Sequence, residues 1–249
     1  MDLYSFAPIA AVLDLAYSFV VALADAITPL AGVSATSLAI VALTLMVRTA
    51  LIPVGISQVR AELTRKRIAP QLQALQRRYT KNPQLLQQKT LELYRAEKAS
   101  PFAGMLPALL QAPVLSIVYG LFVLGTINGH PNGLLTEALA GVPLGDSLFA
   151  LLGGGAAWPG LLVHLGLLGV LAAVAAVSRL VARRFAPVQP DATPAMQRMA
   201  AWLGWLPFLT VVFAAIVPLA AAIYLTVSTM WTLVERVLLR RVLGRTVSV

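Results

Sequence analysis

The chain has 249 residues, 59% apolar and 12% charged, with a formal net charge of +9 and a mean hydropathy of +0.81. Those values exclude an ordinary soluble domain and indicate an all-α, polytopic membrane protein. With no cysteine and two histidines, disulfides, thiol catalysis, iron–sulfur clusters, zinc–thiolate sites and a lipoprotein anchor on this chain are excluded, and a histidine-built metal site is disfavoured.

Residues 1–36 contain no lysine or arginine. Their apolar run from Leu3 to Leu30 lacks the basic leader and cleavage site of a signal peptide. On a helix Asp14, Ser18 and Asp25 fall within about 40° of one another, a narrow polar stripe. That pattern predicts an amphipathic helix in the external interface. A sixth span is the alternative, and it would put the base-free N-terminus inside.

Residues 37–58, SLAIVALTLMVRTALIPVGISQ, are long enough to cross about 30 Å of hydrocarbon. Arg48 falls near the middle, where a charge costs about 2.5–3.5 kcal/mol on insertion scales. An intramembrane arginine normally faces protein or a water-filled hollow. The acids of the chain lie at the edges of apolar segments, outside them, or in a basic polar stretch. Carbonyls, hydroxyls, amides and water are therefore the expected partners, in a polar hollow within the bilayer. A structural arginine, paired to an acid or to carbonyls, is the alternative.

Residues 59–100 form the one substantial polar element. Ten basic residues lie between Arg60 and Lys98, including Arg65, Lys66, Arg67, Arg77 and Arg78, against Glu62, Glu92 and Glu97. Ile68, Leu72, Leu75 and Tyr79 recur at helical spacing, as do Leu85, Leu86 and Leu93. Between these runs Thr80-Lys81-Asn82-Pro83 reads as a turn, because the residue before a proline disfavours the α region. The prediction is a coiled-coil-like hairpin of two short helices that meets anionic lipid or a partner surface. A merely solvated basic loop is the alternative.

Residues 101–249 carry four further spans, about 102–125, 160–183, 199–215 and 218–238, and a short basic tail. Pro218 predicts a tight hairpin at 216–219 between the last two. All nineteen basic residues are Arg48 or lie in 60–98, 179–198 and 236–245. The positive-inside rule then makes those three regions cytoplasmic, with five spans, the N-terminus outside and the C-terminus inside.

Three stretches carry a family resemblance: LTLMVRTALIP at 43–53, LQALQRRYTKNPQLLQQKTLELYRAEKASPFAGMLPALLQAPVLSIVYGLF at 72–122, and VPLAAAIYLTVST at 217–229. In order and spacing, from about residue 37 to 239, the chain resembles the YidC/Oxa/Alb membrane protein insertases. Arg48 matches the signature arginine of the first core span. Met105 stands where many relatives have cysteine, Ser100 replaces a common asparagine, and Thr229 replaces the asparagine after Ser228. The tail beyond Arg241 is short, which weakens any tail-mediated ribosome contact. The absence of a large external domain before the first core span is similar to the compact bacterial form.

The resemblance implies a multi-pass protein of the bacterial plasma membrane. It would insert newly made membrane proteins and help them fold, as an insertase and chaperone. It implies a hydrophilic groove open to the cytoplasm and to lipid, with Arg48 attracting acidic external segments of substrates. Thr44, one turn earlier on the same face, Gln111 in the second span, and Tyr224 and Ser228 in the last would add polar groups, or simply hydrogen-bond between helices. Implied partners are nascent membrane proteins, the ribosome, a Sec-type translocon and anionic lipids, without sequence-specific nucleic-acid binding. No enzyme chemistry and no cofactor are expected. A small anion transporter or channel is the rival reading, although no inverted repeat is visible. A third is a scaffold that binds partners through the basic hairpin.

Overall fold

The structure is a computed structural model. It describes residue 4 and residues 6–97, 99–100, 106–154, 158–185 and 194–245, with side chains at these positions except 106–108, 110–112, 194–196 and 245. The architecture is helical. Ten α-helices are present among the described residues: α1 Ala7–Ala31, α2 Ala35–Ala50, α3 Ile52–Tyr79, α4 Pro83–Ala96, α5 Leu106–Val123, α6 Leu148–Gly153, α7 Trp158–Phe185, α8 Pro194–Leu203, α9 Leu206–Ile216 and α10 Leu219–Arg245. Two antiparallel two-stranded ribbons lie between α5 and α6, β1 Thr126–Ile127 with β2 His130–Pro131 and β3 Ala138–Leu139 with β4 Val142–Pro143.

Among the described residues four stretches are long and apolar enough to cross a membrane: Ala7–Ala50, Trp158–Phe185, Gln197–Ile216 and Leu219–Gly244. The first contains two helices, α1 and α2, which pack against each other across the 3₁₀ turn Gly32–Ser34. The expected second span at 102–125 lies partly outside the described residues, and its described apolar part is the shorter helix Pro113–Val123. Large apolar side chains stand exposed along α7 and α9, among them Leu162, Leu165, Leu180, Leu209, Val212 and Ile216. Such a surface would be an anomaly in water and suits hydrocarbon. The chain is a multi-pass membrane protein.

One compact unit comprises Met1–Ala50, Pro113–Phe185 and Asp191–Leu233. Its core joins Leu13 and Val20 of α1, Ile40 and Leu43 of α2, Leu121 and Phe122 of α5, Leu171 of α7 and Leu219–Tyr224 of α10. Ala220, Ala221 and Ala222 are almost wholly buried. Small residues there let helix backbones approach closely, which in lipid substitutes van der Waals packing for a hydrophobic driving force.

The α5–α6 loop closes one end of this unit by satisfying orphan backbone groups. Asn132, buried, donates its side-chain amide to the Leu121 and Leu124 carbonyls at the end of α5, at 2.8 and 2.9 Å. The amides of Leu219 and Ala220 at the start of α10 donate to the Asp146 and Leu144 carbonyls, both at 2.9 Å. A helix beginning after Pro218 needs such external acceptors for its first N–H groups.

The second unit comprises Leu51–Ala112, Ala186–Pro190 and Val234–Val249. Its α3 and α4 pack together as a hairpin. Asn82 caps α4 by accepting from the Leu85 amide at 3.1 Å, and Pro83 occupies the first turn. Both features suit a helix start. Ile68 is fully buried, and the expected stripe of Leu72, Leu75 and Tyr79 is half-buried.

One expectation changes. The apolar run at 37–58 is not one helix: α2 ends at Ala50, and α3 runs from Ile52 through the basic stretch to Tyr79. Leu51 at the break has φ −88° and ψ 0°. Pro53 accounts for it, since it has no N–H to continue the hydrogen bonding of α2, its ring clashes with the carbonyl one turn back, and it suits the first turn of a new helix.

Candidate functional site

Because α2 stops at Ala50, Arg48 occupies the last turn of that helix and not a helix midpoint. The carbonyl end of a helix carries a partial negative charge, which favours a cation there. Its half-buried side chain reaches α10. Nε donates to the Ser228 hydroxyl oxygen at 2.9 Å, and Nη2 approaches the same oxygen.

Ser228 is itself buried. Tyr224 lies one turn earlier on α10, 5% exposed, with its ring tilted against Phe122 at 6.0 Å between centroids. Its side chain lies near Ser228 and within the Coulomb field of Arg48. Arg48, Ser228 and Tyr224 thus form one polar cluster across two helices. Thr44 is fully buried, and its hydroxyl donates to the Ile40 carbonyl of its own helix at 2.7 Å. That bond consumes its donor and leaves only acceptor capacity. The Gln111 side chain lies outside the described residues.

The hairpin residues Arg65, Lys66, Arg67, Arg77 and Arg78 are all exposed. Arg67 pairs with Glu97 at 2.9 Å, and Arg78 lies over the Tyr79 ring at 5.5 Å. Lys89 bonds Glu92 at 2.7 Å. That hydrogen bond, reinforced by charge, holds the Lys89 amine above its ordinary range and the Glu92 carboxyl below the usual one. Exposed pairs of this kind contribute little to stability.

Sequence reasoning missed a second charged cluster. Arg240 of α10, 8% exposed, pairs through Nη2 with the Glu62 carboxylate of α3. On α10 the Glu235 carboxyl lies over Gly55 of α3. The glycine in a helical run was the one available signal. Nothing in the sequence pairs residues so far apart.

The chain matches the model of the family described as 60Kd inner membrane protein over residues 28–245. The chain belongs to that family. It is similar to proteins named "Membrane protein insertase YidC" in several bacteria. That of Dinoroseobacter shibae is 31% identical over 171 residues, covering 68% of this chain and 28% of the relative. That of Zymomonas mobilis is 28% identical over 186 residues, 75% of this chain and 30% of the relative. That of Clostridium perfringens is 39% identical over 80 residues, 32% of this chain and 34% of the relative. In each case the chain covers about a third of the relative or less. Family and helices together make this a multi-pass protein of the bacterial cell membrane.

Proposed function

We propose that the chain is a membrane protein insertase whose working surface is a hydrophilic groove centred on Arg48. The observation that carries the reading is the Arg48–Ser228–Tyr224 cluster between two predominantly apolar segments, at the position of the family's signature arginine. The Ser228 and Tyr224 hydroxyls are not anions and do not neutralise the guanidinium. In this reading its charge attracts the acidic external segment of a substrate.

In this reading five spans place the basic regions in the cytoplasm. The α5–α6 loop, which satisfies the ends of α5 and α10, closes the groove on the external side. A substrate's short polar segment enters from the cytoplasm, crosses a thinned barrier beside Arg48, and its apolar helix partitions into lipid. No covalent step is involved. The basic hairpin docks arriving chains, the ribosome, a Sec-type channel or an anionic lipid surface.

Insertion by purified protein in reconstituted vesicles tests the reading. Arg48→Ala is expected to lower insertion of a single-span substrate with an acidic external segment several-fold, and Arg48→Lys largely to preserve it. Survival in the lysine variant identifies field attraction over bidentate binding. Equal insertion by wild type and Arg48→Ala across several substrates overturns the groove-charge mechanism. Saturable small-anion flux without substrate would favour the transporter reading.

A further inference from the structure

The α3/α4 hairpin borders an open cavity of about 690 Å³, lined by the first half of α3, by Tyr94 of α4 and by residues that follow α4. That volume falls in the range of small-molecule sites. Its lining has a clear polarity order. Pro53 and Ile56 begin it, and Arg60, Arg65 and Arg67 follow. The apolar end comes directly after Ala7–Ala50, a stretch apolar enough to cross a membrane.

Charge in the cavity is unbalanced. Of the three guanidinium groups, Arg67 is engaged by Glu97 at 2.9 Å, the one carboxylate among the described lining residues. Arg60 and Arg65 are exposed and make no ion pair with any described residue. The hydroxyls of Ser57 and Tyr94 border the same space. Two guanidinium forks with neighbouring hydroxyl donors match the oxygens of a phosphate group.

We propose that this cavity binds the phosphate headgroup of an anionic phospholipid. The order of the lining decides for a lipid over free phosphate. A phospholipid presents glycerol and acyl carbons on the membrane side of its phosphate, the order in which Pro53 and Ile56 precede the arginines. Inorganic phosphate would leave that apolar end empty. The inference needs a membrane-embedded chain and does not depend on the insertase reading.

The test uses the full chain purified in neutral detergent, titrated with dioctanoyl phosphatidylglycerol, dioctanoyl phosphatidylcholine and inorganic phosphate. Saturable binding of phosphatidylglycerol is expected, about tenfold weaker in R60Q/R65Q. Phosphatidylcholine should bind at least tenfold more weakly, and millimolar inorganic phosphate should not compete. K81Q/K89Q removes the same charge from the hairpin outside the cavity and should leave the affinity unchanged. Should R60Q/R65Q fail to purify, R60K/R65K keeps the charge, loses the fork and should weaken binding several-fold.

Four results overturn the proposal. Equal loss in K81Q/K89Q would mean diffuse attraction, and equal affinity for phosphatidylcholine would mean an amphiphile site without charge selection. Competition by inorganic phosphate at the lipid's own affinity would make this a free-anion site. Unchanged affinity in the arginine variants would overturn it as well.

Discussion

A β-carbon added to Gly55 would lie 1.9 Å from Oε1 of Glu235, so the absence of a side chain on α3 is what admits the α10 carboxyl. The obstructing atom is the far end of a flexible side chain, which can swing away from one methyl group. Gly55→Ala also gains helix propensity, about 1 kcal/mol. Thermal unfolding in detergent should therefore show Gly55→Ala within about 1 kcal/mol of wild type. Gly55→Leu, which must displace more than the carboxyl, should lose about 1–3 kcal/mol. A neutral Gly55→Leu would mean that the α3–α10 approach is loose.

The Glu62–Arg240 pair is asymmetric: the Arg240 side chain is 7% exposed and that of Glu62 42%. Breaking a fully buried pair costs about 3–5 kcal/mol, because it strands a charge without compensation. Solvent at Glu62 screens part of this, so Glu62→Gln should cost about 1–2 kcal/mol by thermal unfolding. The double variant Glu62→Gln/Arg240→Met removes both charges and should recover much of that loss. Failure to recover would make the arginine's packing, and not its charge, the stabilising element.

His130 of the β1–β2 ribbon bonds Asp14 of α1 at 2.9 Å, with the Tyr17 ring 5.1 Å away. The Asp14 hydrogen bond, helped by the Pro131 carbonyl, raises the His130 pKa above its ordinary value. A raised histidine contributes stability that is full below its unfolded pKa, about 6.5, and is lost as pH rises through the raised folded value. An NMR titration of His130 should give a midpoint above about 6.5 that falls back in Asp14→Asn. The melting temperature of wild type relative to His130→Gln should decline as pH rises through the same window. A midpoint unaffected by Asp14→Asn would remove the ion pair as the cause.

The upper part of the α3/α4 hairpin is expected to be dispensable for folding and needed for activity. Its side chains are mostly exposed, and α4, at 14 residues, is marginal without tertiary support. Replacing 71–92 by a short Gly/Ser linker should leave a chain that inserts and purifies normally. Its insertion of substrates in reconstituted vesicles should fall several-fold. Unchanged activity would reduce the hairpin to a solvated loop. Loss of the folded chain would make it a brace.

The membrane class, the helical hairpin with its turn at Asn82-Pro83 and the break before Pro218 were all legible in the sequence. Each rests on composition or on contacts within a few residues, where hydropathy, proline geometry and helical period act directly. The two β-ribbons were less visible. Asn128-Gly129 carries a hairpin signal and adopts positive φ at 46° and 87°, but it sits in a loop between strong helical signals. Ala140 adopts φ 51° beside Gly141 at 80°, which no propensity would suggest. Nor does hydropathy mark where one apolar helix ends and another begins, so Arg48 read as central until Leu51 broke the run.

Long-range pairing belonged to the tertiary structure alone. Arg48 meets Ser228 across 180 positions, and Glu62 meets Arg240 across 178. Composition and period say which face of a helix is polar, but not which other helix that face meets. That choice is made by packing, through the three alanines that bring α10 close and the glycine that admits Glu235. It depends on shape between segments distant in the chain, and a one-dimensional pattern carries no record of it.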